Sequence, residues 1–566
     1  MYSNQKYNAK SMGVRNLLTF STIRSFDGGL NVADTDLNMA PKFAKVLDNM
    51  ERGTDGTLSV RPGTKFFKKS ANTTDIINIY YFNNHVITVH ANGAIYKITG
   101  AGVETELFQP SPAPANSRFF TAGVYFVSFT IFSSDLIIAN GKDKPVIVSG
   151  KPADARYMLG EYLNDKATGS NVNTPIGLFV IAHGQFTIMG GIAAEPSTIY
   201  VSAKGTSGTW VSDPAPNDAI KIDLGPRVSL GSATVTGMVA YRDKLLIMFE
   251  RGVLPMNMGV YTGTPAVHVP TDDGFIEEFG GLSHRSLVSV GDDTFYNDNI
   301  GINSIARISV FNTLRPVRIS QLVDPLITAA LKPLTQQQIA RNVFAVYDMR
   351  NFRYIIFIPS FEADGVTIKE SVGFSYTNIP TLDVKAWARL RGWKWRSSCR
   401  TALQNILFTV GNKIYSYDFD NDTENADFLS DPEIETGTGV AVAFEWELPW
   451  ADFKQRMEIK QMRYIGLDTQ GNATFTLEGY VDNILRFEGA DAPLLSMDFI
   501  GGDAAGYGEG PYGDGPYGGG RNTSEERLFA YVAKFKLLKL RVHGLSKKNL
   551  KFISISVAYM RGSIRR

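Results

Sequence analysis

Cysteine is nearly missing from this chain. Cys399 is the single one in 566 residues. That excludes an intramolecular disulfide framework and any zinc site with two or more thiolate ligands. Histidine is scarce as well. His85, His90, His183, His268, His284 and His543 lie far apart, and none sits in a partnered motif. No apolar run reaches the length of a membrane-spanning helix. The first twenty residues carry no apolar stretch of signal-peptide length, so Sec export is not expected. An excess of one charge is also lacking, because 57 Lys and Arg stand against 56 Asp and Glu, a net charge of +1. This excludes a chain that coats nucleic acid by bulk positive charge. The nucleophile elbow G-x-S-x-G, HExxH, CxxC and the Walker A loop are all absent.

What remains is abundant in turn and strand formers: 53 Gly, 35 Phe and 24 Tyr. Apolar residues recur mostly with period two, as in IINIYYFNNHVITVHANGAIYKI (76–98), FVSFTIFSSDLIIANGKDKPVIV (126–148) and MVAYRDKLLIMF (238–249). Each unit is a β-rich run, a polar turn and a second β-rich run. The turns fall near Asn84, Ser134, Gly184, Asp243, Asp292, Arg350 and Asn405, at spacings of 50, 50, 59, 49, 58 and 55. A period of about 50 built from small sheets is the pattern of propeller blades. The alternative is a set of unrelated hairpins in β-sandwiches. Helices are expected to be few. PKFAKVLDNMERG (41–53) is one candidate, with Phe43, Val46, Leu47 and Met50 on one face. DPLITAALKPLTQQQIARN (324–342) is another, broken at Pro333.

From about residue 436 the alternation is stronger, as in VAVAFEWELPW (440–450) and FAYVAKFKLLKLRVHG (529–544). It reads as an antiparallel sandwich. Within it, GGDAAGYGEGPYGDGPYGGG (501–520) is a Gly/Pro/Tyr loop. It is no phosphate loop, because Pro511 and Pro516 forbid the helix that such a loop must open. Charge is segregated here. Residues 418–453 hold eleven acids and no Lys or Arg, while 527–566 hold eleven bases and no acid. Such segments pair between subunits, line a channel, pair within one sandwich, or face water. Asp418, Asp420, Asp422, Lys547, Lys548 and Lys551 are the candidates for contacts between subunits.

Two stretches suggest chemistry and give way to plainer readings. DFDNDTE (418–424) starts like a calcium loop, yet Thr423 stands where glycine is required and Leu429 where a bidentate Glu is required. No metal site is assigned, and no cofactor. WARLRGWKWRSSCR (387–400) interleaves bases with aromatics as single-strand binders do. Alternation explains it as well, with Trp393 and Trp395 on one face and Lys394 and Arg396 on the other.

The most specific block is SFDGGLNVADTDLNMAPKFAKVLDNMERGTDGTLSVRPGTKFF (25–67). It resembles the opening of the tail nozzle proteins of short-tailed phages, also called tail tubular protein B, and of the related tail hub or DNA-stabilisation proteins. The matches are Gly28, Gly29, Asn49, Gly56, Leu58, Arg61, Pro62, Gly63 and Thr64. Looser likenesses lie in the AWARLRGWKWRS segment, in the Tyr-Gly-Pro loop and in the terminal AYMRGSIRR (558–566). Read locally, Gly28-Gly29 is a tight turn, and in Arg61-Pro62-Gly63 the proline fixes φ while Gly63 permits a positive one. These residues specify backbone shape and no chemistry.

The resemblance implies a virion protein at the distal part of the tail. Its subunits form a six-fold ring below the portal and adaptor, and the ring encloses the channel that retains and conducts double-stranded DNA. The implied partners are other copies of the chain, the tail adaptor, tail fibres, the DNA and a host surface receptor. The expected organisation is all-β: an adaptor-docking segment with a short helix at 1–70, propeller-like blades at 71–435 and a sandwich at 436–566. A receptor-binding or fibre-anchoring tail component is the alternative role. A propeller glycosidase acting on polysaccharide and a cellular kelch-like binding module are the rivals outside that class, and no enzyme activity is expected.

Overall fold

The computed structural model describes residues 18–23, 26–109, 117–163, 173–210, 219–229, 231–258, 261–262, 267–268, 270–308, 313–417, 441–453, 458–470, 473–481, 495–500, 525–546 and 550–561. Among the described residues, seven small antiparallel sheets follow one another along the chain, with a two-stranded ribbon of Tyr261–Thr262 and Val267–His268 inserted in the fourth. The first runs Ile76–Phe82, His85–His90, Ile95–Thr99 and Glu104–Leu107. The second to sixth begin at Ser128, Phe179, Gly237, Val288 and Phe344. The seventh takes Ser397–Arg400, Ile406–Val410 and Lys413–Tyr417 from one stretch of chain. Its fourth strand is Thr64–Lys69, paired antiparallel to Lys413–Tyr417. The ring is therefore closed by a strand from the other end of the chain.

Each pair of neighbouring sheets closes over its own apolar core, which identifies them as blades. The first and second meet around Ile87, Val89, Leu136 and Ile138. The second and third meet around Ile137, Val180 and Met189, and the third and fourth around Ile188, Ile199 and Leu245. The fourth and fifth share Leu246, Met248, Tyr296 and Ile305. Phe295 meets Tyr354 edge-on at 5.3 Å between the fifth and sixth. Phe357, Trp393, Trp395 and Phe408 join the sixth to the seventh. Ile79, Val86, Leu407 and Ile414 join the seventh back to the first.

Period two builds this arrangement. In the strand Lys244–Phe249, Leu245, Ile247 and Phe249 face the third blade, and Leu246 and Met248 face the fifth. A strand covered on both faces reads as a continuous apolar run. The turns expected near Asn84, Ser134, Gly184, Asp243, Asp292, Arg350 and Asn405 each fall at the hairpin between the first two strands of a blade. Left-handed residues shape them: Asn83 and Asn84 at φ 45° and 61°, Ser133 at 60° and Gly184 at 59°.

The sixth blade does not end at its fourth strand. Val384–Leu390 continues through Val46–Asp48 into Val442–Glu447, Leu538–Ser546, Ala473–Val481 and Leu495–Ile500, and with Gly29–Leu30 and Phe43–Ala44 alongside this makes one sheet of eleven described strands. A second sheet of Glu525–Phe535, Lys460–Gln470, Lys551–Arg561, Leu58–Val60 and Met50–Arg52 lies over its far half, with Leu18–Ile23 beside Lys551–Arg561. Phe444, Trp446, Phe475 and Phe552 fill the space between.

Two expectations need correction here. Residues 41–53 form no helix. They make the short strands Phe43–Ala44, Val46–Asp48 and Met50–Arg52. Leu47 to Arg52 are buried consecutively, so both faces are covered. Asn49 also sits at φ 54°, which no helix continues through. Nor is 1–70 a segment apart, since its described strands belong to the sandwich and to the seventh blade. The second helical reading holds: Asp324–Leu331 and Gln336–Asn342 flank Pro333, the latter opened by a Thr335–Gln338 capping box.

Trp395 is fully buried and stacks on Phe408 at 4.8 Å between the last two blades. Trp395→Ala should cost about 3–5 kcal/mol of stability, read as a lowered urea midpoint at unchanged slope. A loss below about 1 kcal/mol would show that this interblade core does not hold the ring.

Candidate functional site

The residues that carry the family resemblance converge on the joint between the sixth blade and the sandwich. Gly29 lies at φ 63° against the backbone of Trp387. A Cβ there would come within 2.5 Å of Trp387 N and 2.6 Å of its carbonyl oxygen. A Cβ at Gly28 would strike Lys42 O at 2.8 Å. The glycines let one backbone lie flat on another. Asn49 also takes a left-handed conformation, and its amide makes three hydrogen bonds. Its Nδ2 donates to Ala443 O at 2.7 Å, and its Oδ1 accepts from Arg391 N at 2.7 Å and from Arg61 Nε at 2.9 Å. The Arg61 guanidinium also reaches Pro62 O and Arg391 O, and it lies 4.0 Å from the ring centroid of Trp393. This one side chain thus links the N-terminal block to the sixth and seventh blades.

Gly56, at φ 89°, makes the turn between Gly53 and Thr57. Gly63 does not adopt the positive φ expected of it. Residues 61–63 run on into Thr64–Lys69, so Arg61-Pro62-Gly63 is a link into the closing strand and not a turn.

Sequence reasoning missed the ion pairs around this joint. Glu51 and Arg353 are both buried, with side chains 1% and 5% exposed, and meet at 2.7 Å. Ser375 Oγ donates to the other Glu51 oxygen at 2.7 Å, and Arg353 also donates to Arg52 O. Arg389 grips Asp48 with two hydrogen bonds of 2.6 Å, and Arg52 grips Asp27. The acids lie in the N-terminal block and two of the arginines in the sixth blade, more than 300 residues away. Alternating in-and-out burial was the only available signal, and it cannot name partners so remote.

Of the candidate contacts between subunits, Asp418, Asp420, Asp422, Lys547 and Lys548 lie outside the described residues, as do the calcium-like run and the Tyr-Gly-Pro loop. Lys551 pairs with Asp55 of its own chain at 3.2 Å. Two described acids of 418–453 pair with described bases of 527–566, within one sheet. Glu445 meets Arg541 at 2.8 Å and Glu447 meets Lys539 at 3.0 Å. Val442, Phe444 and Trp446 point inward, so the charges between them line up on the outer face. Trp393 and Trp395 are buried as expected, and Lys394 is exposed.

The innermost strands leave an axial cavity of about 160 Å³. Its wall includes Asn78, Tyr80, Ser128, Phe129, His284, Arg285, Phe344 and Ser398. Burial, and then Arg285, push the His284 pKa down to about 4. His90 and His183 are also lowered, first by burial. Cys399 packs between the seventh and first blades, where burial pushes its thiol far up. It is therefore a packing residue and no nucleophile. Among the described residues no group of three metal-ligating side chains comes together, and no helix is long and apolar enough to cross a membrane.

No family model matches the chain, and no curated protein matches it. Among solved structures, a streptogramin B lyase is similar at 10% identity and TM-score 0.35, over 62% of this chain and 96% of that one. YCF48 bound to a D1 peptide is similar at 9% identity and TM-score 0.35, over 63% and 95%. A chain of a mitotic checkpoint complex gives 9% and 0.33, over 62% and 94%. At these values the likeness says nothing of chemistry or partners.

Two outcomes follow from this geometry. Arg353→Met strands the buried Glu51 carboxylate and should cost about 3–5 kcal/mol, whereas the double variant Glu51→Leu/Arg353→Met should recover much of that loss. Urea denaturation of the two singles and the double measures the coupling, and additive losses would deny it. A histidine held neutral in the folded chain leaves the unfolded chain binding more protons below its ordinary value of 6.5. The contribution of His284 is therefore complete above pH 6.5 and is lost as pH falls toward about 4. His284→Gln should flatten the fall of the urea midpoint across that window. An unchanged slope would show that His284 titrates normally.

Proposed function

We propose that this chain is a structural subunit of the tail nozzle of a short-tailed phage, working in a ring that retains DNA and then conducts it. The observation that carries the reading is the place of the resembling block. Its residues are spent on joining propeller to sandwich, with Gly29 on Trp387 and with Asn49 and Arg61 spanning both. A ring subunit loaded by passing DNA needs such a stiff joint more than it needs a reactive side chain. The ionised groups there are neutralised in pairs, which favours a structural role over an enzymatic one.

In this reading the DNA conduit runs between subunits and not through the propeller, whose axial cavity holds about 160 Å³. A net charge of +1 suits a conduit wall, since tight phosphate binding would stall the passage of DNA. Adaptor docking is reassigned within the block. Gly28, Gly29, Asn49, Arg61 and Gly63 are buried, so the contact falls to the outward loop 33–42, where Leu37 is 46% exposed. That loop is held by Asn31, whose Oδ1 accepts from the backbone of Ala33 and Asp34, and by a Lys45–Asp36 pair at 3.0 Å.

Antibody-labelled electron microscopy of intact particles tests this. Label at the distal end of a short tail is expected, and Leu37→Asp should reduce incorporation while leaving the urea midpoint of the isolated chain unchanged. Label on lateral fibres would favour the receptor-binding role, and absence from the particle would end the phage reading.

A further inference from the structure

Arg285 is the odd cation of the propeller. It lines the axial cavity just before the innermost strand of the fifth blade, Val288–Val290. Its guanidinium donates to Arg341 O at 3.2 Å and to Arg396 O at 2.8 Å, and lies 5.1 Å from the ring centroid of Phe344. Two of its five N–H groups are thereby used. No carboxylate among the described residues pairs with it. The nearest charge acting on it is another cation, Arg396, and that one is already matched by Asp75 at 2.6 Å. Arg285 is half-buried, and a partly desolvated cation without a counter-ion is stabilised when an anion arrives.

The rest of the wall is arranged to donate. His284 Nδ1 accepts from Met238 N–H at 3.3 Å, so the ring proton is assigned to Nε2. Its lowered pKa keeps the ring neutral, with that one donor, at ordinary pH. Ser398 adds a hydroxyl from the seventh blade. Asn78 and Ser128 also line the wall, but their side chains donate within the blades, to Val127 O and Leu178 O, and beside them stand Tyr80, stacked on Phe129 at 5.2 Å, with Ile79, Phe344 and Ala345. One planar fork of donors, one imidazole N–H and an apolar wall suit a planar monoanion with a small apolar body. They supply too few charges for a phosphate dianion.

We propose that the axial cavity is a binding site for a small organic carboxylate, held by Arg285, with His284 and Ser398 as further donors.

The test uses the full chain and benzoate as the probe, with sodium chloride and inorganic phosphate at equal ionic strength as comparisons. Benzoate should raise Tm saturably by several degrees over chloride, and calorimetry should give one site per chain. Arg285→Met leaves no carboxylate stranded, so it should fold and lose the benzoate effect. Ser398→Leu, which narrows the cavity from the seventh blade and keeps the guanidinium, should lose it too. No saturable effect in the wild-type chain would overturn the proposal. An effect that survives in Ser398→Leu, or in a folded Arg285→Met chain, would overturn it as well. An equal shift with phosphate would overturn the assignment to carboxylates.

Discussion

Closure of the ring is the constraint on which the rest of this structure depends. The seventh blade has three strands, with the edge of Lys413–Tyr417 open, until Thr64–Lys69 docks on it. Bringing those strands together joins positions about 350 residues apart in the chain, and the entropic cost of such a loop grows only slowly with its length. Many weak ladder contacts and one apolar seam, Ile79 and Val86 against Leu407 and Ile414, can therefore offset it. The closing strand is fixed in direction by what precedes it. Arg61, tied to Asn49 and laid on Trp393, sets the point from which residues 61–63 enter the seventh blade.

The same short stretch also builds the sandwich. Val46–Asp48 bridges the sixth blade to Val442–Glu447, and Met50–Arg52 and Leu58–Val60 extend the second sheet. Propeller and sandwich are thus joined by a continuous sheet and not by a linker. The buried Glu51–Arg353 pair fits that picture. A buried ion pair adds little net stability over an apolar pair of the same shape. Its geometric demand is high, however, because both partners must be met at once. It therefore fixes where the N-terminal block lies against the sixth blade.

This explains what could be read from the sequence and what could not. Hairpins are local, so their turns showed at Asn84, Ser134, Gly184, Asp243, Asp292, Arg350 and Asn405, and seven turns correspond to seven blades. The inward tryptophans of WKW and the break at Pro333 were local too. The stretch 41–53 misled because its apolar spacing suits one helical face, while its real environment is two-sided and supplied by residues near 353, 389 and 443. Charge segregation was visible, but its pairing was not. Cross-strand register, which sets Glu445 and Glu447 beside Arg541 and Lys539, depends on sheet topology.

The joint and the axial cavity differ in how charge is handled, and the difference separates scaffold from site. At the joint, Asp27, Asp48 and Glu51 each meet an arginine, and the amide of Asn49 makes three hydrogen bonds. Disturbance of these pairs is felt as lost stability. In the cavity, Arg285 rests on two carbonyl oxygens and an aromatic face, with three N–H groups to spare. A methionine at position 285 would fill similar space without the electrostatic cost, so folding alone does not require arginine there. The charge is explained by an anion that the folded chain receives, whereas the charges of the joint are explained by the fold itself.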